Sequence, residues 1–290
     1  MEFIGREAER KRFKRLFCQD GQGVALVYGR RRVGKSELIK QCMRENDTHG
    51  IYYECKQTSE ANNVESLAAL VSECFGYPPL AFSGIEDVLK FVFEQAKERS
   101  LVLVLDEYPY LRKTIAGLDS ILQSLIDCNK DDSHLKLVLC GSFIDVMKSL
   151  LEAQNPLYGR VDVTIDLKPM GYYDSARFYP SFSNEDKVRL FSVFGGIPYY
   201  NCLIDQRLTV KENLLELIAE PGSRLENEVP MYLGMEIAKI ANANEVFGAL
   251  AQGYSRYKDI FDQSHVSSGP AMVDVLDKLI RMELVQKQAP

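Results

Sequence analysis

Residues 27–40 read VYGRRRVGKSELIK, and the reading of this stretch decides the fold. Gly29, Gly34, Lys35 and Ser36 fill every fixed position of the pattern G-x-x-x-x-G-K-[ST]. Each residue type has a physical task there. Glycines let backbone N–H groups curl around a phosphate, the lysine reaches the outer phosphate oxygens, and the hydroxyl ligates Mg²⁺. The flanks agree with this assignment. GVALVYG, ahead of the loop, is a Val-rich apolar run bounded by glycines, which predicts a buried parallel strand. KSELIKQCMREN, behind it, predicts a helix whose N-terminus faces the same phosphates. Arg30, Arg31, Arg32 and Val33 occupy the variable positions, and Glu37 follows in the first helical turn. The arginine side chains are expected to splay outward. Either at least one pairs with a local carboxylate or meets an acid or nucleotide of a partner, or all three are solvated charge.

A phosphate loop alone holds a nucleotide; hydrolysis needs a second site. LVLVLDEYPYL, residues 101–111, runs from five apolar residues into two carboxylates. Asp106 at the C-terminal end of a buried strand is suited to orient Mg²⁺, and Glu107 beside it to polarise an attacking water. LKLVLCGS, residues 135–142, ends in Ser142 at the sheet edge that faces ligands in open α/β folds. There it orients the γ-phosphate or the water, or else caps the helix that follows.

Strand and helix patterns alternate from about residue 24 to residue 168, which predicts a parallel sheet covered by helices on both faces. The helix within residues 62–76 is expected to start near Asn62 or Asn63. After residue 170 the apolar spacing is helical, until ELVQKQ at residues 283–288 offers one more strand. The expected organisation is an α/β P-loop core over residues 1–169, a helical lid over 170–225, and a winged-helix-like helical module over 226–290. With 41 acidic against 35 basic residues the chain carries a formal charge of −6, so any nucleic-acid contact has to be local. The seven cysteines form no C-x-x-C pair and only three histidines accompany them, which argues against a zinc site and for reduced thiols. No apolar run approaches the ~18 residues of a membrane span. The chain reads as soluble and cytoplasmic, with no membrane partner.

Together these motifs resemble the AAA+/STAND class of P-loop ATPases, and most closely the archaeal-type ATPase family of its MNS clade, over nearly the whole chain. YGRRRVGKS resembles that family's Walker A, LVLVLDEYPYL its Walker B and VLCGS its sensor 1. FIGREAE resembles its opening adenine-side box, which implies that Ile4, Gly5 and Arg6 line the base. NPLYGR resembles a Tyr-Gly-Arg element, which implies Arg160 near the phosphates; a surface arginine paired with an acid is the plain alternative. GGIPYY resembles the Gly-x-Pro motif of the lid, which implies that Pro198 touches the adenine; a simple helix break is the alternative. The resemblance implies ATP or ADP with Mg²⁺ as cofactors. It also implies a winged helix at the end, yet one short strand after the last helix leaves the wing half built. Relatives continue into a domain that resembles restriction endonucleases, so the chain is expected to be part of a longer protein, or a short form, without nuclease chemistry of its own.

Two functions follow. One is an Mg²⁺-dependent ATP-hydrolysing switch, acting on a protein partner or through self-association. The other is a nucleic-acid-binding regulator with a mainly structural nucleotide site. Glu107 favours the first, since a passive holder has no need of a second acid. DNA contact is expected to be weak, because Asp274 and Asp277 offset Lys278 and Arg281 in the would-be recognition helix.

Overall fold

The computed structural model describes residues 3–228, 231, 234, 240–281 and 284–288. Five strands form one all-parallel sheet in the order β2-β3-β4-β1-β5. They are β1 (Gly23–Tyr28), β2 (Gly50–Glu54), β3 (Leu101–Asp106), β4 (Leu135–Gly141) and β5 (Val163–Asp166). Every residue of β1, β3 and β4 is buried, as strands covered on both faces must be, which is why they read as unbroken apolar runs. One face carries Val102, Val104, Val138, Cys140, Ala25 and Val27 under α1 (Glu7–Cys18) and α2 (Lys35–Glu45). The other carries Leu103, Leu105, Leu137, Leu139 and Leu26 under α3 (Glu60–Phe75), α4 (Ile85–Gln95), α5 (Tyr108–Thr114) and α6 (Leu118–Cys128). The period-two alternation of side chains sorts one strand's residues between the two cores. The helix α7 (Ile144–Ser149) follows β4.

After β5 come the short helices α8 (Tyr172–Ser175), α9 (Asn184–Phe194), α10 (Pro198–Asn201) and α11 (Val210–Leu214). Thr209 and Glu212 cap the last of these reciprocally. The chain divides into two compact units, Met1–Cys202 and Leu203–Pro290. Residues 170–202 therefore belong to the same unit as the sheet, and residues 203–225 of the expected lid to the second unit. That unit holds helices Ala243–Ala251, Tyr257–Ser264 and Gly269–Arg281 around Val246, Met272, Val275 and Leu279. Pro270 sits in the first turn of the last helix, where its missing N–H costs nothing. The helix expected over residues 228–241 lies mostly outside the described residues.

Two local expectations are corrected. Ser59, not Asn62 or Asn63, caps α3, its side chain accepting from the Asn62 N–H. The buried Asn63 is instead a bracket, accepting from the Tyr53 hydroxyl and the Lys56 N–H. Residues 284–288 are not a strand: the Leu284 and Val285 N–H groups turn back to the Leu279 carbonyl, at 3.0 and 3.3 Å.

Behind the sheet edge, the buried Asp119 accepts from the Tyr108 hydroxyl (2.6 Å), Arg112 Nε (2.8 Å) and Asn155 Nδ2 (2.8 Å). This one carboxylate ties α5, α6 and the turn before β5 together. Asp119→Ala strands three donors and is expected to cost about 2–4 kcal/mol. Urea unfolding measures it, and an unchanged midpoint would show that the donors find other partners.

Candidate nucleotide-binding site

The loop between β1 and α2 lies tight against the sheet. At Gly29, φ is 155°, and a Cβ there would sit 2.3 Å from the Leu167 carbonyl oxygen, so no side chain fits. Arg32 and Gly34 take left-handed φ angles of 65° and 93°, alternating with ordinary residues. That alternation turns successive N–H groups toward one concavity, the geometry of an anion nest. The buried Lys35 folds back along the loop, its Nζ donating to the carbonyls of Gly29 (2.9 Å) and Arg30 (3.1 Å). Its ammonium is thus held at the loop mouth by neutral acceptors, which a charged phosphate oxygen outcompetes.

The strand order brings the acids to this loop. β4 lies between β1 and β3, and the register pairs Leu105 with Leu139 and Cys140 with Val27. Asp106 therefore ends β3 beside Cys140, facing the α2 side. Ser36 Oγ in the first turn of α2 donates to Asp106 Oδ2 at 2.6 Å. The Tyr52 hydroxyl donates to the same oxygen, and the Glu107 N–H to Oδ1 at 3.0 Å. Burial resists ionisation of Asp106, but hydrogen bonds from Cys140, Ser36, Tyr52 and the Glu107 amide outweigh it and hold the carboxyl below its usual range. The same surroundings push the buried Cys140 thiol up. A hydroxyl and an ionised carboxylate 2.6 Å apart are the hard oxygen donors that suit Mg²⁺, so the residues present fit that ion.

Glu107 adopts φ of 51°, which turns its side chain from the strand direction toward β4. There the Ser142 Oγ (2.9 Å) and N–H (3.2 Å) both donate to Glu107 Oε2. Ser142 does not cap the helix that follows. The residue at the cap of α7 is Phe143, and no side chain caps that helix.

Two of the loop arginines are docked rather than splayed. Arg31 donates to the Tyr110 hydroxyl at 3.1 Å and lies over the Phe143 ring, while Arg32 stacks 4.5 Å from the Tyr199 ring centre. Arg30 is half-buried and Glu37 exposed. Arg6 reaches the loop from the N-terminal box, its Nη2 donating to the carbonyls of Val33 (3.2 Å) and Lys168 (2.8 Å). Its guanidinium braces the loop with these bonds. Gly5 is buried with its Cα against the Asp174 carboxylate of α8, and Ile4 is half-buried beside it. Pro198 lies against Gly34, 3.7 Å from where a Cβ would be. Gly196 is more than a helix break, because its carbonyl accepts from the Met170 N–H at 2.7 Å and a Cβ would collide with Met170 O.

Arg160 is not brought to the loop. It precedes β5, beside the start of β1 and so at the end of the sheet away from the loop, where the nearby Asp162 N–H bonds the Val24 carbonyl. Its guanidinium forms a fork with Asp127 at 2.6 and 2.8 Å, so the paired surface arginine is the outcome. Tyr52, Cys140, Tyr110 and Tyr199 are the participants that sequence reasoning missed. Tyr52 and Cys140 are placed by strand order and cross-strand register, and Tyr110 and Tyr199 by where α5 and α10 pack, none of which a local pattern encodes.

Residues 3–202 match the family described as an ATPase domain predominantly from Archaea, and the chain belongs to that family. The matched stretch coincides with the first compact unit. Uncharacterized protein MJECL04 of Methanocaldococcus jannaschii is 26% identical over 292 residues, spanning 99% of this chain and 63% of that relative. Uncharacterized protein MJ0424 of the same organism is 32% identical over 59 residues, 20% of this chain and 57% of its own. The chain thus spans about three-fifths of the length of these relatives. Among solved structures, the Walker-type ATPase PABY2304 of Pyrococcus abyssi superposes with a TM-score of 0.71 at 18% identity, covering 97% of this chain and 90% of that one. The ORC2 protein of Aeropyrum pernix, solved as ADPNP–ADP complexes, gives 0.69 at 14% identity, covering 98% and 88%. At such identities the likeness is one of fold: a P-loop ATPase sheet with helices following. Among the described residues no helix is long and apolar enough to cross a membrane.

The stack of the exposed Arg32 on the half-buried Tyr199 links the loop to α10 and is expected to contribute about 0.5–1 kcal/mol. A double-mutant cycle of Arg32→Ala and Tyr199→Leu on unfolding free energy should return a coupling of that size. Strict additivity would mean that the ring and the guanidinium stabilise the fold independently.

Proposed function

We propose that the chain binds ATP and ADP with Mg²⁺ and hydrolyses ATP slowly, as a nucleotide-dependent switch of the AAA+/STAND type. The observation that carries this reading is the bond between Ser36 and Asp106 at 2.6 Å, beside Lys35 and next to a Glu107 anchored by Ser142. A structural phosphate loop has no use for the second, separately anchored acid.

The roles follow from the chemistry of each group. The N–H groups of residues 30–36 and the α2 N-terminus bind phosphate oxygens, and Lys35 exchanges its two loop carbonyls for them. Ser36 and Asp106 are the residues that would hold Mg²⁺, which supplies charge neutralisation at the phosphates. Glu107 accepts a proton from the attacking water. Ser142 keeps one of its oxygens occupied and so fixes which oxygen faces the water. Ile4, Gly5, Arg6 and Pro198 border the base, with Arg6 acting through the loop carbonyl it binds.

Switching would run through residues 196–199. Pro198 against Gly34 and Tyr199 against Arg32 carry a change in the loop to α10, whose approach to Met170 is fixed by Gly196. A protein partner or a second copy of the chain would read it, and in the longer relative MJECL04 the remaining sequence is a further candidate. Asp274 pairs with Lys278 at 2.8 Å in the last helix and offsets its charge, in keeping with at most weak DNA contact there.

Phosphate release from Mg²⁺-ATP tests this reading. Lys35→Ala should weaken nucleotide binding by about two orders of magnitude, from loss of a charge-assisted contact. Glu107→Gln should keep ATP bound while turnover falls roughly 10²–10⁴-fold. Parental turnover in Glu107→Gln would remove Glu107 from the water-polarising role, and no phosphate release by the parent would remove the hydrolytic reading.

A further inference from the structure

Tyr52 belongs to none of the motifs, yet its hydroxyl donates to the same Asp106 oxygen as Ser36 does. The placement follows from register. Tyr52 pairs with Val104 across β2 and β3, and Asp106 lies two residues beyond Val104 on the same face, the diagonal neighbour that a long aromatic side chain reaches. The ring is half-buried, packed on the sheet face under α2, and covered by the Lys40 ammonium at 4.7 Å from its centre. Packing alone would be served by phenylalanine. The hydroxyl adds a second donor to Oδ2, while the Glu107 N–H occupies Oδ1. With both oxygens engaged the carboxylate plane cannot rotate, and Ser36 meets it in one orientation.

We propose that Tyr52 is a positioning residue for the Mg²⁺–nucleotide site, its hydroxyl fixing the Asp106 carboxylate in the orientation that faces Ser36 and the metal. This role rests on the nucleotide-binding reading above. It makes the second strand part of the site, although the strand lies at the sheet edge and contributes nothing to the phosphate loop. Because Tyr52 acts through Asp106, its removal should appear in the metal-dependent part of nucleotide affinity and not in the contacts of the phosphate loop.

The test uses the full 290-residue chain as Tyr52→Phe, with Tyr53→Phe as control. Tyr53 loses a buried hydroxyl bonded to Asn63 on the opposite face of the same strand, so it reports the effect of a lost structural bond. Affinity for a fluorescent ADP is measured in excess Mg²⁺ and in EDTA, Mn²⁺ affinity in the presence of ADP is read by electron paramagnetic resonance, and melting temperatures are recorded without ligand. Tyr52→Phe should keep the parental affinity in EDTA and lose roughly tenfold of the gain that Mg²⁺ brings, with Mn²⁺ affinity falling alike. Tyr53→Phe should retain the parental metal dependence even where it melts lower. The role is overturned by parental metal dependence in Tyr52→Phe, by equal losses in Mg²⁺ and EDTA, or by the same metal-specific loss in Tyr53→Phe. A parent that binds no nucleotide in either condition overturns the proposed function and this role together. A parent with a clear Mg²⁺ gain that Tyr52→Phe shares removes the role alone.

Discussion

The hydrogen bond from Ser36 to Asp106 is the constraint on which the rest of the site depends. It joins the ends of two strands that are not neighbours: β4 lies between β1 and β3, so the two segments start about 10 Å apart, two strand spacings. The gap is bridged because α2 begins directly at the loop and Ser36 in its first turn reaches Asp106. Every feature around the loop serves that turn. Gly29 lets the chain pass against Leu167, Arg6 holds the Val33 carbonyl, and the apolar face of α2 is buried through Leu38, Ile39 and Cys42. Asp106 in turn stays ionised despite burial because its oxygens are surrounded by donors. A carboxylate fixed in that way stands ready to meet a cation without reorganising.

Two members of the arginine triplet, Arg31 and Arg32, are engaged by aromatic side chains. Arginine stacks on rings and donates at once, which lysine does poorly. Arg31 joins the loop to Tyr110 of α5 and to Phe143, the residue after Ser142. Arg32 joins it to Tyr199 of α10. The loop is therefore in contact with the acid-bearing segment, the serine-bearing segment and the helix at the end of the first unit. Such contacts give a bound phosphate several routes by which to alter its neighbours, each worth little by itself.

Much of this was legible in the sequence, and the parts that were not share a cause. Strands buried on both faces announce themselves as apolar runs, so β1, β3 and β4 could be read directly, with Lys35, Asp106, Glu107 and Ser142 at their ends. Short-range chemistry was less secure: Ser59 competes with Asn62 and Asn63 for one cap, and only the backbone at residue 59 decides it. Long-range placement was illegible. Arg160 follows a Gly in a phosphate-like context, yet its position is set by where β5 joins β1, and that puts it beside Asp127. Tyr52 reads as an ordinary edge-strand aromatic until the β2–β3 register is known. The turn after the last helix rests on local bonds from the Leu284 and Val285 N–H groups back to the Leu279 carbonyl, which a short strand-like run does not foretell.

Amide hydrogen exchange with and without Mg²⁺-ADP tests the central claim most directly, because it reports where a nucleotide sits residue by residue. The account predicts strong protection over residues 29–37, weaker protection at residues 104–108 through Asp106, and no change at residues 155–162 around Arg160. Protection confined to residues 155–162, or none over 29–37 at saturating nucleotide, would contradict it.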